Sequence, residues 1–533
     1  MIRLPVPSAS AQRRLPTSEG IRRPASRGDR VMPTRARFAV IDLGSNSGRV
    51  IVVEPSRLGY LHVVAEAHVP LELTRALDEH SRLRPRACER VLAAMAEFVA
   101  IAHGAGAQEI YAVGTAALRR AGNAQALLDE VRRRFDVEVE VIDGATEARY
   151  SFLGAAYALP VEDGLLVDIG GGSLEIVRFR ARALTDSWSF PFGALRLTDE
   201  FVDGDPPSAE ASAAMAAAVR AGLESAGVGR LATGEQLVGT GGTIRNLAKI
   251  DGRRLQYPIG RLHGYTLATS RARKLARSLG AQSLAKRREI DGLNPQRADS
   301  IHAGAVTLLA TMEHVHARDL IVSGQGLREG VMRRAWPAAL PSAARVRHAS
   351  LHALTRRMGG WDEARAERRA ALAVALAHAV TPDMDRELLE TLGYAAMLLD
   401  VGAAIDFYHR HRETAAIVLR SDLVGFSHRQ LAALSAIVQL ADRPAFNVAT
   451  LRPLVTAAAG SQLARAGTLL ALADAIARRS PVGADIGAAW QLTGSTLRVD
   501  LPWHPEWGPE ELIQRCAATL GLSLAIGPGD GTS

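Results

Sequence analysis

The chain is poor in cysteine. Its 533 residues include only Cys88 and Cys516, too far apart in sequence for a disulfide framework or a cysteine-based metal cluster. A reducing, cytoplasmic setting is expected. Also missing is any uncharged apolar run of about eighteen residues, so no transmembrane helix and no membrane partner are expected. Excess charge is absent from most of the chain as well. The formal charge is +8, but residues 1–37 hold nine Arg against Glu19 and Asp29, which leaves +1 for residues 38–533. The basicity belongs to the tail, and no specific nucleic-acid partner is expected. Residues 1–36 are rich in Pro, Ser and Arg without hydrophobic periodicity, so a disordered extension is expected there. They also lack the apolar core of a secretory signal.

What is present is ordinary globular composition, 47% hydrophobic and 23% charged, over a length that suggests several domains. From Phe38 to about Trp336 short apolar segments alternate with helical ones. FAVIDLG (38–44), EIYAVGT (109–115) and EVEVI (138–142) read as buried strands. Between the first two, Val91, Leu92, Met95, Phe98, Val99 and Ala102 recur at helical spacing, and Asn123 is placed to cap the next helix. A second series has GLLVDIG, LEIVRFRA and SWSFPFG as strands, then a helix near 208–226, QLVGTGG, a helix at 298–315 and DLIVSGQG. Beyond about Pro337 the pattern is helical through 346–478, with one more strand expected at 495–502. The fold class is α/β. The expected domains are 37–160, 161–337 and a mostly helical 338–533 with a small α/β end.

Two stretches match. VIDLGSNS (40–47) and LVDIGGGS (166–173) each run from an apolar strand through Asp into a small-residue turn ending in Ser, followed by a second strand. The aspartates Asp42 and Asp168 lie 126 residues apart, as in duplicated domains. Such turns expose backbone N–H groups as an anion-binding concavity. Gly44, Ser45 and Asn46 in the first, and Gly170, Gly171, Gly172 and Ser173 in the second, are the expected phosphate contacts. A carboxylate at a strand end is costly to bury unpaired, and a hard cation such as Mg²⁺ would compensate Asp42 and Asp168. A third turn, VGTGGTIRNLA (238–248), enters a helix, making Gly241, Gly242 and Thr243 candidates at its N terminus. Capping by Thr240 or Thr243 is the alternative.

Taken in order, DLGSNS, VGTAALRRAGNA (113–124), IDGATEARYSFLGA (142–155), DIGGGSLE (168–175), FPFGALRLTDEF (190–201), VGTGGTIRNLA, RADSIHAG (297–304) and GLREGVM (326–332) resemble the exopolyphosphatase and guanosine pentaphosphate phosphohydrolase family, the Ppx/GppA phosphatases. The resemblance implies two ribonuclease-H-like domains of the actin, sugar-kinase and heat-shock ATPase superfamily, followed by an HD-like helical domain. It implies a hydrolase that removes the terminal phosphoryl group of polyphosphate or of guanosine pentaphosphate. Guanosine tetraphosphate as a further ligand and a homodimer are also expected. By position Glu147 matches the catalytic base, while Asp168, Gly170, Gly171, Ser173 and Glu175 match the phosphate and metal site. Arg119 and Asn123 fall in the segment facing it. The assignment that follows has Glu147 orienting water, Arg119 offsetting charge, and Asp42, Asp168 and Glu175 organising Mg²⁺ or another divalent cation.

The sequence also departs from the family pattern. Thr146 replaces an acidic neighbour of Glu147, Leu174 replaces a Thr, and Gly48, after the first turn, is expected to loosen that hairpin. In the helical part, Leu398-Leu399-Asp400-Val401-Gly402 lacks the His of the usual His-Asp pair, so no HD metal site is expected. His409, His411 and His428 are expected at the surface or in helix packing. Two alternatives remain: a non-catalytic sensor of the guanosine polyphosphates using the same cleft, and a polyphosphate-dependent phosphotransferase of the same superfamily.

Overall fold

A computed structural model of the chain describes residues 36–56, 58, 60–333, 340–479, 489–500 and 509–527. Residues 1–35, which make up the expected basic extension all but its last residue, lie outside the described residues. Two compact units are present. One holds the described residues through Ala353 together with Asp422–Ser427; the other holds Leu354–Ser421 and the described residues from His428 onward.

The first unit contains two sheets of like design. Strands β1 (Phe38–Leu43), β2 (Ser47–Pro55), β3 (Leu61–Pro70), β4 (Glu109–Gly114) and β5 (Val139–Val141) lie in the order β3-β2-β1-β4-β5. β1 pairs antiparallel with β2 and parallel with β4. The helix Pro85–Gly104, begun by a proline in its first turn, buries Val91, Met95, Phe98 and Ala102 in one cluster with Ile41, Val50 and Val52. Each such side chain contributes about 1.5–3 kcal/mol when fully buried. β3 was not expected from the sequence. It is an edge strand with Val63 and Val64 exposed, so only one long side is paired and its apolar alternation is blurred.

The second sheet repeats the plan. Strands β6 (Gly164–Ile169), β7 (Leu174–Arg180), β8 (Ala183–Phe190), β9 (Gln236–Thr240), β10 (Thr266–Ala268) and β11 (Asp319–Val322) lie in the order β10-β11-β9-β6-β7-β8. β6 pairs antiparallel with β7 and parallel with β9, as β1 does with β2 and β4. The expected third strand of this series runs earlier than its motif, because Gly193 already caps the helix Ala194–Phe201. The expected helices are found at Ala209–Ser225, where the Ser208 side chain accepts from Ala211 N–H, and at Ile301–His314.

The second unit is helical, as its pattern implied. Helices Glu363–Val380 and Arg386–Leu398 start at Asp362 and Asp385, whose carboxylates accept the backbone N–H three residues on. Helices Arg410–Arg420, His428–Asp442 and Gly460–Arg479 follow. A small sheet, β12 (Ala489–Thr493), β13 (Thr496–Asp500) and β14 (Ser523–Gly527), closes the chain around the helix Glu510–Leu520. The sequence suggested only β13 of these three. Among the described residues no helix is long and apolar enough to cross a membrane.

Candidate active site

The two Asp-containing hairpins face one cleft of about 480 Å³ in the first unit. They match down to their hydrogen bonds: Gly44 N–H donates to Ser47 O at 3.1 Å, and Gly170 N–H to Ser173 O at 3.0 Å. In each turn two carbonyls are tied back by a neighbouring segment. Ser45 O accepts from Thr74 N–H, and Asn46 O from Leu71 and Glu72 N–H; Gly170 O accepts from Ala194 N–H, and Gly171 O from Leu195 and Arg196 N–H. In a trans peptide the N–H points opposite to its C=O. The N–H groups of Asn46, Ser47, Gly171 and Gly172 are thereby turned away from those segments, in turns that line the cleft. Backbone N–H donors so placed are what an anion cup requires.

Register breaks the symmetry between the hairpins. Asp42 lies opposite Arg49, whereas Asp168 lies opposite Glu175. One hairpin therefore brings a cation to its aspartate and the other brings a second carboxylate. Burial pushes Asp42 up to about 6, against the pull of Arg328 and Arg49. Asp168 is also raised by burial, opposed by Arg245 and by a hydrogen bond with Ser151. Glu175 is pushed up to about 8, by burial first and then by the Asp168 charge.

Glu147 enters from the helix Gly144–Tyr157. Asp143 caps that helix, its Oδ1 accepting from Thr146 N–H at 2.7 Å, which leaves Glu147 in the first turn. Burial pushes Glu147 up to about 7, against the guanidinium of Arg119. Arg119 Nη1 donates to Glu147 Oε2 at 3.3 Å and to Ile142 O at 2.6 Å, so it is itself anchored. Because the charges of Asp42 and Asp168 also act on Glu147, the four carboxylates belong to one electrostatic cluster.

The third glycine turn completes the floor. Gly241 has φ +91°, and a β-carbon there would overlap Asp168 Oδ1; one on Gly242 would overlap the Arg297 guanidinium. Thr240 caps the helix Gly241–Arg254 without a side-chain cap bond, its Oγ1 donating instead to Gln325 O. The first N–H groups of that helix thus have no capping side chain. Thr243 departs from expectation: it is buried, packs its methyl against Gly304, and does not line the cleft. Asn123 likewise does not line it. Its side chain makes no cap bond but clasps the Leu83 backbone through Leu83 N–H and O.

The donor set fits a cation only in part. Asp42 Oδ1 is buried without a hydrogen-bond partner, and the carboxylates around it are raised by desolvation. Among the described residues, however, no three His, Cys, Asp or Glu side chains are grouped to hold a metal. Asp42, Asp168 and Glu175 therefore do not form a ready-made protein cage. A hard ion held by one or two carboxylates, with phosphate oxygens and water filling the rest, is consistent with both facts.

The family can now be decided. The model of the Ppx/GppA phosphatase family matches residues 50–338, and that of the family's domain III matches residues 346–493. The chain belongs to the Ppx/GppA phosphatase family. It is 30% identical over 328 residues to exopolyphosphatase 1 of Mycobacterium tuberculosis, a match covering 61% of this chain and 95% of that one. It is 28% identical over 486 residues to the guanosine-5'-triphosphate,3'-diphosphate pyrophosphatase of Aeromonas salmonicida, covering 88% and 93%. Among solved structures it resembles the Aquifex aeolicus Ppx/GppA family member (31% identity, TM-score 0.51, covering 56% and 96%). It also resembles an exopolyphosphatase from Cytophaga hutchinsonii (27%, 0.52, 57% and 99%).

Several cleft residues of this Ppx/GppA chain are not singled out by the sequence: Arg49, Arg245, Arg297, Arg328 and Ser151. All but Arg49 sit inside motifs quoted above, so their type and neighbourhood were visible while their convergence was not. The departures also resolve physically. Leu174 is fully buried in the core beneath the cleft. Gly48 does not loosen its hairpin, because Leu71 and Phe98 pack directly on it: a β-carbon would stand 2.9 Å and 3.0 Å from them. In the helical unit Asp400 is held by Arg369 at 2.8 Å, with Arg365 and Arg410 at 3.2 Å. Arg369 also pairs with Asp474 at 2.8 Å. His409 is exposed beside Asp406, while His411 and His428 are buried.

Proposed function

We propose that this Ppx/GppA phosphatase removes the terminal phosphoryl group of inorganic polyphosphate or of guanosine pentaphosphate. The observation that carries the reading is Glu147, held by Arg119, in a cleft whose two walls are matching anion cups. The hairpins take the terminal phosphates on backbone N–H groups. Glu147, with its affinity for protons near neutrality, accepts the proton of the attacking water. The new bond forms between that water oxygen and the terminal phosphorus, the bridging P–O bond breaks, and the shortened chain leaves with the bond electrons. Arg119 both orients Glu147 and offsets charge on the phosphoryl oxygens. One or two of Asp42, Asp168 and Glu175 would hold Mg²⁺ or a similar divalent ion, which would supply charge neutralisation at those oxygens.

The repeated sheet order, β3-β2-β1-β4-β5 and β8-β7-β6-β9-β11, supports reading the first unit as two ribonuclease-H-like domains. The Arg-locked Asp400 supports an HD-like domain that retains the frame without the metal chemistry.

The deciding experiment compares phosphate release from polyphosphate and guanosine pentaphosphate, with Mg²⁺, for the unaltered protein and Glu147→Gln. Release by the former and its loss in the latter is expected. Binding of guanosine polyphosphates without any release would instead make the protein a sensor.

A further inference from the structure

Beside the main cleft lies a second cavity of about 160 Å³. Arg49, Arg245 and Arg297 line both, together with Asn46, Ser47, Gly242 and Gln296, so the three arginines lie where the two adjoin. None of the three has a carboxylate at ion-pair distance among the described residues. Arg245 donates only to the Gly241 and Gly324 carbonyls, and Arg49 to Ser47 Oγ at 3.4 Å. Burial lowers all three, Arg245 to about 10, with repulsion from Arg328 on Arg49 and from Arg49 on the other two, against the more distant pull of carboxylates such as Asp42 and Asp168. Three guanidiniums gathered with no carboxylate in direct contact favour an anion that can approach them.

The two cavities differ in their carboxylates. The main cleft mixes Asp42, Glu147, Asp168 and Glu175 with its arginines, whereas no Asp or Glu lines the smaller one. Its remaining wall is neutral and polar, and its exposed residues His68, Asn294 and Gln296 mark where it meets solvent. It has room for an orthophosphate with bridging waters.

Exo-cleavage leaves an awkward product. The terminal phosphate is released inside the cleft while the shortened chain still occupies it. We propose that the smaller cavity is an orthophosphate site and exit, reached past Arg49, Arg245 and Arg297. This rests on the hydrolase reading. The guanidiniums hand the free anion from the mixed-charge cleft to a space without carboxylates, and the retained chain need not dissociate between cycles.

The test uses the full chain with radiolabelled polyphosphate and added unlabelled orthophosphate. If product and chain occupy separate sites, orthophosphate inhibits in a mixed or non-competitive pattern that excess polyphosphate does not abolish. A purely competitive pattern overturns the proposal. The second arm is the double variant His68→Glu/Asn294→Asp, which places negative charge at exposed positions and keeps an acceptor at 294 for the Gln296 N–H. A first-turnover burst should persist while steady-state release falls about fivefold, recovering as salt screens the charge. Loss of burst and steady state together, no change in either, or a raised KM alone overturns it. No phosphate release by the unaltered protein is a different failure, that of the hydrolase reading itself.

Discussion

Gly241 and Asp168 are fitted to each other: a β-carbon on Gly241 would overlap Asp168 Oδ1, and the glycine sits at φ +91°. The turn after β9 and the aspartate at the end of β6 therefore constrain one another. Gly241→Ala adds backbone strain of about 1–2 kcal/mol and moves the carboxylate. Phosphate release should fall roughly a hundredfold, the scale expected when reacting groups shift by an ångström. Steady-state kinetics with a parallel melting curve checks this; an unaltered kcat would contradict it.

Glu147→Gln keeps the shape of the side chain and removes the proton acceptor. Turnover should drop roughly 10²–10⁴-fold with little change in KM. Equal losses in binding and turnover would assign Glu147 to substrate positioning instead.

The pH profile tests the pairing of Glu147 with Arg119. Below its pKa Glu147 is protonated and cannot accept the water proton, so kcat/KM should rise with pH around a midpoint near 7. Arg119 holds that value down, so Arg119→Met should move the midpoint to higher pH and reduce turnover. A midpoint that stays put or moves down would separate the two residues.

Glu175 makes a stability prediction. Its value in the fold, about 8, lies above the ordinary 4.5, so the native state binds the proton more tightly than the unfolded chain. Its contribution to stability is present at low pH and lost as pH rises from about 4.5 through 8. Glu175→Gln should melt with the unaltered protein at pH 4 and above it at pH 8.5. Added Mg²⁺ should narrow the gap at the higher pH. Identical melting at both pH values would refute the charge crowding.

In the helical unit Arg369 is fully buried between Asp400 and Asp474. Removing one partner leaves a buried charge undercompensated, at a cost of about 3–5 kcal/mol. Asp400→Asn should lower the urea midpoint of that unit accordingly. A midpoint within experimental scatter would show that the network is solvated.

Much of this was legible in the chain. The hairpins, the helix that carries Glu147 and the glycine turn before Arg245 follow from alternation, capping residues and small-residue turns, all set within a few residues. β3 was missed because an edge strand is paired along only one side. Thr243 was misplaced because helical rotation carried it from the cleft into the packing against Gly304. Asn123 looked like a cap, yet its side chain reaches Leu83, forty positions earlier.

From the order of residues alone came two Asp-bearing turns, a duplicated α/β plan and a phosphatase family resemblance, since turn chemistry and periodicity are near-neighbour properties. The polarity of the cleft came only with the fold. Strand register sets Arg49 against Asp42 but Glu175 against Asp168, and chain crossings bring Arg245 and Arg297 to the same wall. Electrostatic energy depends on separation through space and on lost water, and neither is written in sequence distance.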